Sequence, residues 1–216
     1  PIVGAFVAII MAKQFFGGIG QNFINPALAA RAVLLASFPQ AMTDFSMPGV
    51  DGISSATPLA LLKAGEAVPS LMDVFVGNIG GSIGEISALA LLIGLVYLLF
   101  RKVITIKIPA IYVGTVFILT YVLGRGGMFN ANPLYEIMTG GLFLGAFFMA
   151  TDYSTSPSTP KGEVIFALGC GILTTVIRLY GGYPEGVSYS ILIMNLAVPL
   201  IDKYTAPKPF GTVKKA

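Results

Sequence analysis

The sequence has 216 residues, of which 55% are hydrophobic and 11% are charged, and its mean hydropathy is +0.83. Soluble domains have about 25% charged residues, so this chain has too few charges to cover a water-soluble globule, and we predict that lipid surrounds most of it. The chain contains no histidine and one cysteine, Cys170, which excludes a disulfide framework or a cysteine-based metal site within the chain and argues against histidine-dependent hydrolysis.

Seven apolar stretches give the predicted fold. The first two, residues 2–12 and 26–38, are short and flank a polar, glycine-rich segment at 17–25, a pattern typical of helices interrupted at membrane depth; a plain short loop is the alternative. The other five are long enough to span a bilayer, and they are residues 83–100, 108–123, 134–150, 164–179 and 187–201. The predicted fold class is all-α, a single polytopic membrane domain over residues 1–216 with interrupted or re-entrant helices. Because the chain opens at Pro1 inside an apolar stretch, we expect N-terminal helices of the full protein to be missing.

Basic residues set the predicted orientation. On an alternating path, eight of them fall on one side, which the positive-inside rule makes cytoplasmic. These eight are Arg101, Lys102, Lys107, Lys161, Lys203, Lys208, Lys214 and Lys215. The C-terminus is therefore predicted to be cytoplasmic and the polar loop 39–82 extracytoplasmic, with residues 68–81 apolar enough to re-enter the membrane. The net charge of +3 follows from this topology, and we predict no nucleic-acid partner.

Within that loop, Thr57 has the features of a helix cap. A threonine followed by Pro58 and by helix formers is a typical helix start, and the proline favours extended backbone at Thr57. The small neighbours Ser54, Ser55 and Ala56 leave the hydroxyl open, and a phosphate attached there would meet the free N–H groups of the helix start. Spacing alone favours a simple capped surface helix.

Residues 51–57, with the sequence DGISSAT, also resemble the flavinylation motif D-x-x-[S/T]-G-A-T. In proteins with that motif, a flavin transferase working outside the cytoplasm attaches FMN to the last threonine through a phosphoester bond. The chain departs from the motif at Ser55, where the motif has glycine. The resemblance implies covalent FMN on Thr57, which acts as an anchor and not as a catalytic nucleophile. The residues expected to surround the attachment are Asp51, Ser54, Ser55, Ala56 and Pro58.

Three further stretches resemble signatures of one family, in the same order along the chain. They are residues 17–28 (GGIGQNFINPAL), 147–162 (FFMATDYSTSPSTPKG) and 181–186 (GGYPEG). The family contains the D subunit of Rnf complexes, which are ion-translocating ferredoxin:NAD oxidoreductases, and the B subunit of the sodium-pumping NADH:quinone reductase. The TSPSTPK form at 155–161 favours the Rnf branch.

This resemblance implies a urea-transporter-like fold in the bacterial cytoplasmic (inner) membrane and a role as one station in an electron relay between ferredoxin and NAD. The relay would be coupled to movement of Na⁺ or H⁺, and the partners would be the other Rnf subunits, which carry the iron–sulfur clusters and further flavins. One cysteine cannot hold such a cluster. A solute channel of urea-transporter type and a purely structural membrane scaffold are the alternatives, although both leave residues 51–57 unexplained.

Polar residues at the interrupted segments predict a second site. The pairs Asn25-Pro26, Ser156-Pro157 and Thr159-Pro160 repeat the cap pattern of Thr57-Pro58, and helix starts that face a shared centre would suit an ion path or a non-covalent riboflavin, which the resemblance suggests. Plain caps on short helices are the alternative. The residues proposed for this site are Asn22, Asn25, Arg31, Thr151 and Asp152.

Two charges inside apolar segments have a cost at membrane depth of about 2.5–3.5 kcal/mol each. Arg31 is expected to face a flavin or a partner carboxylate, and a structural pair involving Arg31 or Glu85 is the alternative. Gly140, Gly141 and Gly145 are expected to serve helix packing.

Overall fold

The computed structural model describes residues 1–46, 54–124, 132–182 and 185–207. Within these ranges the regular secondary structure is helical except for two-residue antiparallel strands, β1 (Phe45–Ser46) and β2 (Ser54–Ser55), so the predicted all-α class is confirmed. The helices are α1 (Ile2–Phe6), α2 (Pro26–Ser37), α3 (Pro39–Thr43), α4 (Pro58–Ala64), α5 (Leu71–Val76), α6 (Ala88–Phe100), α7 (Lys107–Leu123), α8 (Pro133–Met138), α9 (Leu142–Leu144), α10 (Pro160–Tyr180) and α11 (Val187–Thr205). α1 and α9 continue into π-helical turns, Val7–Met11 and Gly145–Met149, and a 3₁₀ turn, Gln14–Phe16, precedes the polar segment at 17–25.

Four of the five predicted spans correspond to the continuous helices α6, α7, α10 and α11. α10 has 21 residues and therefore extends for roughly 30 Å at about 1.5 Å per residue. Among the described helices it alone is long and apolar enough to cross a membrane, whereas α2, α6 and α7 are apolar but shorter.

α7, α10 and α11 pack together at the centre of the molecule. A side chain at Gly171 of α10 would lie 2.6 Å from Thr115 Cβ of α7, and one at Gly186, just before α11, would lie 2.7 Å from Ile177 Cβ of α10. Close backbone approach of this kind is typical of helix contacts in membrane proteins. The interface encloses three hydroxyl groups that hydrogen-bond to one another within 3.0 Å, those of Tyr112, Thr174 and Ser190.

The bundle has two distinct ends. At one end, Lys107 at the start of α7 lies 3.4 Å from Glu163 Oε2 in the first turn of α10, and Ser158 N donates to Asp202 Oδ1 near the end of α11 at 3.1 Å. Most of the described lysines and arginines from the predicted cytoplasmic group belong to this end, because they flank the same helix termini. Thr57 lies at the opposite end, beside the segments that precede α6 and α11. We refer to these as the basic end and the Thr57 end.

The predicted continuous span at 134–150 is wrong, because the chain breaks between α8 and α9. Thr139 leaves helical geometry, and Gly140 adopts a positive φ of 65°. The break is stabilised from α10, where Arg178 Nη1 donates to Glu136 O at 2.6 Å and Nη2 donates to Thr139 O at 3.2 Å. Because these donors satisfy carbonyl groups at the end of α8, the helix can stop inside an apolar run.

Three of the four predicted threonine, serine or asparagine caps are confirmed, those before α2, α4 and α10. The fourth prediction, a helix start at Ser156-Pro157, is wrong. A helix beginning there would place the ring of Pro160 against the carbonyl of Ser156, four residues earlier. The backbone instead turns around Asp152, which accepts a hydrogen bond from Thr155 Oγ1 at 3.1 Å, and α10 begins only at Pro160.

Candidate functional site

Thr57 caps α4 as predicted. Its backbone is extended, with φ −64° and ψ 150°, and its Oγ1 accepts a hydrogen bond from Ala60 N at 3.3 Å. Ala56 is exposed, Thr57 is half-buried and Pro58 is buried. The hydroxyl group therefore lies at the boundary between the protein surface and its interior.

Thr57 contributes to the wall of a cavity of about 720 Å³, a volume that includes the open mouth. The wall is built by segments far apart in the sequence: α2, residues 42–45, α4, Glu85, Gly140 and residues 185–189. The apolar lining consists of Ala32, Leu35, Met42, Phe45 and Leu59. The polar lining consists of Arg31, Thr43, Thr57, Glu85, Glu185, Ser188 and Tyr189. We call this space the Thr57 cavity.

Three ionisable side chains of the Thr57 cavity form one cluster. Arg31 Nη1 lies 3.4 Å from Glu85 Oε2, and Arg31 Nη2 lies 2.9 Å from Glu185 Oε2. Arg31 Nη2 also lies 3.5 Å from Ser82 Oγ. The structure thus gives Arg31 two carboxylate partners within this chain. Arg31 also lines the cavity. We call Arg31, Glu85 and Glu185 the charge cluster.

The break between α8 and α9 brings backbone into contact with the charge cluster. Gly141 N donates a hydrogen bond to Glu185 Oε1, and a side chain at position 141 would lie 2.7 Å from Glu85 Oε2. The expected packing role holds for Gly145, where a Cβ would collide with Val187 Cγ1 of α11. Gly141 differs, because glycine there lets the main chain approach two carboxylates.

Lys63 connects α4 to the end of α10. Its Nζ donates to Gly181 O at 2.5 Å and to Gly182 O at 3.1 Å, at the end of α10. Hydrogen bonds from a charged group contribute about 1.5–3 kcal/mol where they are well shielded. This contact fixes the helix that Thr57 caps against the segment that leads to Glu185.

We expect Lys63→Met to loosen α4, because the carbonyl groups of Gly181 and Gly182 would lose this donor. Amide hydrogen exchange in α4 should speed up by roughly tenfold, as expected for the loss of about 1.4 kcal/mol or more of local stability. Exchange in α7 should not change. The neighbouring exposed carboxylate offers a matched control, Glu66→Gln, which should leave α4 protected. Unchanged exchange in Lys63→Met would show that Lys63 does not hold α4.

A second polar group of residues lies where α2 begins. Asn25 N donates to Asn195 Oδ1 at 3.1 Å, and Asn25 Nδ2 donates to Met149 O at 3.4 Å. Asn195 Nδ2 in turn donates to Thr155 O at 3.0 Å, and Asn22, which is buried, donates from Nδ2 to Ile24 O at 3.2 Å. The two interrupted segments, 17–25 and 151–161, therefore meet at one place within the bundle.

The residues predicted for a shared second site do not all belong together. Arg31 lies six residues along α2 from Asn25 and lines the Thr57 cavity. Thr151 donates from Oγ1 to Phe147 O at 2.8 Å, and Asp152 accepts from Ser154 N at 3.4 Å, so both stabilise the turn after the second π-helical segment. We call Asn22, Asn25 and Asn195 the asparagine group.

Comparison with known proteins identifies the family to which the chain belongs. A sequence model described as the NQR2, RnfD, RnfE family matches residues 1–211. The chain belongs to this family. The Rnf-type resemblance recognised in the sequence is thereby confirmed, and the family is membrane-associated.

Three similar members of the family come from different bacteria. The chain is 55% identical to the D subunit of the Na⁺-translocating ferredoxin:NAD⁺ oxidoreductase complex of Acetobacterium woodii, over 99% of this chain and 67% of that protein. It is 49% identical to the D subunit of the proton-translocating ferredoxin:NAD⁺ oxidoreductase complex of Clostridium ljungdahlii, over 97% and 68%. It is 35% identical to the D subunit of an ion-translocating oxidoreductase complex of Ectopseudomonas mendocina, over 97% and 68%.

Part of the predicted flavinylation motif, residues 51–57, lies outside the described residues of this NQR2, RnfD and RnfE family member. Asp51 does so entirely, and the side chains of Ser54 and Ser55 do too, although their backbone forms β2 opposite β1. Of the seven motif residues, Ala56 and Thr57 are those whose side chains are described.

The sequence did not identify Glu185, Lys63 or Tyr189 as site residues. Glu185 lies in the GGYPEG motif, and the alternating path already places the start of α11 on the same side as Thr57. That shared side was a usable signal for Glu185. Lys63 and Tyr189 had no comparable signal, because a hydrogen bond from Lys63 to a carbonyl 118 residues away leaves no local pattern.

Proposed function

We propose that this chain is the membrane subunit of an Rnf-type electron-transport complex and that it carries FMN esterified to Thr57. Electrons would pass through this flavin between ferredoxin and NAD while the complex moves Na⁺ or H⁺. The observation that supports the proposal most directly is that Thr57 lies on the wall of the Thr57 cavity, beside a fixed arginine. The motif at 51–57 and the names of the relatives, whose complexes are ferredoxin:NAD⁺ oxidoreductases, point the same way.

The residues that line the cavity suit a flavin. An isoalloxazine ring has an apolar benzenoid end and a polar pyrimidine end, and the lining offers both apolar side chains, such as Leu35 and Phe45, and polar ones, such as Arg31 and Tyr189. The protein would orient the ring and keep water from it.

In this mechanism the flavin supplies the electron-transfer chemistry when bound, and the chain supplies the rest. Thr57 provides the hydroxyl oxygen that would be esterified and keeps the cofactor at high local concentration. Lys63 holds α4 in place, and the apolar residues Leu35, Phe45 and Leu59 would shield the ring. No proton transfer by Thr57 is required after attachment.

The membrane arrangement is part of the same proposal. α6, α7, α10 and α11 would cross the bilayer, with lipid around their many exposed apolar side chains, among them Ile93, Phe100, Ile118 and Leu200. The basic end would face the cytoplasm, where the C-terminus would lie. The Thr57 end would face outwards, where a flavin transferase could reach the threonine.

Peptide mass spectrometry of the purified complex tests the attachment. Trypsin cleaves after Arg31 and Lys63, which leaves Thr57 in one peptide, 32–63. We expect this peptide to carry the mass of FMN less one water when the complex is produced together with the flavin transferase, and to be unmodified without it. Fragmentation should assign the modification to Thr57. An unmodified peptide in cells that contain an active transferase would refute the proposal.

A solute channel of urea-transporter type is the competing function. It would use the interrupted helices as a path, but it gives no purpose to the fixed charge cluster next to Thr57 or to the motif at 51–57. Flux of urea through vesicles that contain the complex, with no dependence on reduced ferredoxin, would favour the channel.

We also propose a second, non-covalent flavin, riboflavin, near the asparagine group. The support is geometric: buried amides gather there, where α2 begins and two polar segments meet. Asn22→Leu is expected to remove riboflavin from acid extracts of the complex while the covalent flavin on Thr57 stays. Extractable riboflavin equal to that of the unaltered complex would contradict this second site.

A further inference from the structure

The charge cluster has two carboxyl groups but one guanidinium. One guanidinium, that of Arg31, lies against two carboxylates, those of Glu85 and Glu185, at 3.4 and 2.9 Å. Arg31 and Glu85 come from α2 and from the segment before α6, and Glu185 comes from the segment before α11. With all three groups ionised, the cluster has a net charge of −1 in the cavity wall.

The positions of these charges are fixed. Glu185 is held by Arg31 through one oxygen and by Gly141 N–H through the other. The side chains of Arg31, Glu85 and Glu185 are 26%, 6% and 20% exposed. Because the cluster is largely removed from water and is held by these contacts, its field acts on whatever occupies the cavity.

The charge cluster contains every charged side chain among the described residues that line the cavity. Behind the lining, Arg178 approaches Gly140 from α10, where a side chain on that glycine would lie 3.2 Å from Arg178 Nη2. Arg178 Nη1 lies 3.7 Å from Glu136 Oε2, so this pair adds one charge of each sign. The unbalanced charge in the described lining is therefore that of the charge cluster.

We propose that the charge cluster sets the redox potential of the flavin held in the Thr57 cavity. Reduction of a flavin adds negative charge, and a nearby net charge of −1 opposes it, so the cluster lowers the potential. Arg31 has the opposite effect from the two glutamates, and all three are tuning residues that need not touch the reacting atoms. This inference rests on the proposed attachment of flavin to Thr57.

Variants that each remove one charge test this proposal. Glu85→Gln and Glu185→Gln should each raise the potential of the covalent flavin, and Arg31→Gln should lower it. Removing one charge about 10 Å away at an effective dielectric constant of about 20 changes the ratio of reduced to oxidised flavin roughly tenfold. A tenfold change corresponds to about 59 mV for a one-electron couple. The double variant Arg31→Gln/Glu185→Gln should return close to the unaltered potential.

The measurement is a redox titration of the whole purified complex, followed by flavin absorbance. The same titration of a Thr57→Val complex is subtracted, so that the difference reports the covalent flavin alone. Glu163→Gln is the matched control, since it removes one carboxylate from the ion pair with Lys107 at the basic end. The potential of the covalent flavin in Glu163→Gln should equal that in the unaltered complex.

The outcomes separate the two proposals. In-gel flavin fluorescence of each denatured variant reports attachment independently of the potential. If the unaltered chain has no covalent flavin, the proposed function fails and the tuning role fails with it. If the flavin is attached but Arg31→Gln shifts the potential in the same direction as the two glutamate variants, or if the glutamate variants lower it or leave it unchanged, only the tuning role is refuted. If Arg31→Gln does not accumulate, Glu85→Gln and Glu185→Gln decide the question, because glutamine keeps the size of the glutamate side chain.

Discussion

Thr57→Val is expected to remove all covalent flavin from the chain. Valine has nearly the shape of threonine but no hydroxyl group, so no phosphoester can form. The substitution also removes the hydrogen bond from Ala60 N to Thr57 Oγ1, and loss of a helix cap costs about 0.5–2 kcal/mol. That cost is too small to prevent folding of a buried helical bundle. In-gel fluorescence under ultraviolet light should show a bright band for the unaltered chain and a dark band of equal protein content for the variant.

Two further substitutions separate attachment from capping. Thr57→Asn restores a good cap without a hydroxyl group, and we expect its band to be dark. Thr43→Val removes a different hydroxyl group from the wall of the same cavity, and we expect its band to stay bright. A bright band in Thr57→Val would mean that the flavin is attached elsewhere.

Arg178→Met is expected to destabilise the protein more than the substitutions at Lys63, Thr57 or Lys107. Arg178 and Glu136 have side chains that are only 1% and 5% exposed, and Arg178 also donates to the carbonyl groups of Glu136 and Thr139. Removing the arginine takes these donors from a buried carboxylate and from the end of α8, which costs about 3–5 kcal/mol. Thermal denaturation of the detergent-purified complex should begin at a clearly lower temperature, or the chain should fail to accumulate.

Lys107→Met at the basic end shows how much of the expected loss of stability in Arg178→Met depends on burial, because it breaks an ion pair that is more exposed. The pair Lys107–Glu163 is 47% and 20% exposed, and surface pairs of this kind contribute about 0–1 kcal/mol. The denaturation temperature of the Lys107→Met complex should stay close to that of the unaltered complex. The double variant Arg178→Met/Glu136→Gln should recover only part of the loss, because the carbonyl groups at the end of α8 still lack the arginine. Equal effects of Arg178→Met and Lys107→Met would contradict the structural role assigned to Arg178.

Local features of the fold were predictable from the sequence because the interactions behind them are local. Asn25, Thr57 and Thr159 accept hydrogen bonds from amide groups two or three residues ahead, and each is followed by proline. Such a pattern is contained in four residues. The prediction failed at Ser156-Pro157, because a second proline three residues later excludes a helix.

Features that depend on distant contacts were not predictable. Hydropathy assigned one span to residues 134–150, but the chain breaks where Arg178, about 40 residues further on, supplies the missing donors. The charge cluster joins residues 54 and 154 positions apart. The sequence indicated that Arg31 needed a partner, but not that the partner Glu185 would come from the GGYPEG segment.

The way the Thr57 cavity is assembled limits how the site can be transplanted. The seven residues 51–57 hold the proposed attachment point, but a host protein given this heptapeptide would display its threonine on the surface, facing water. The wall of the cavity comes from α2, Glu85, Gly140 and residues 185–189. A portable module would therefore need several separate segments held in their present arrangement, so the smallest graftable unit is close to the whole described bundle.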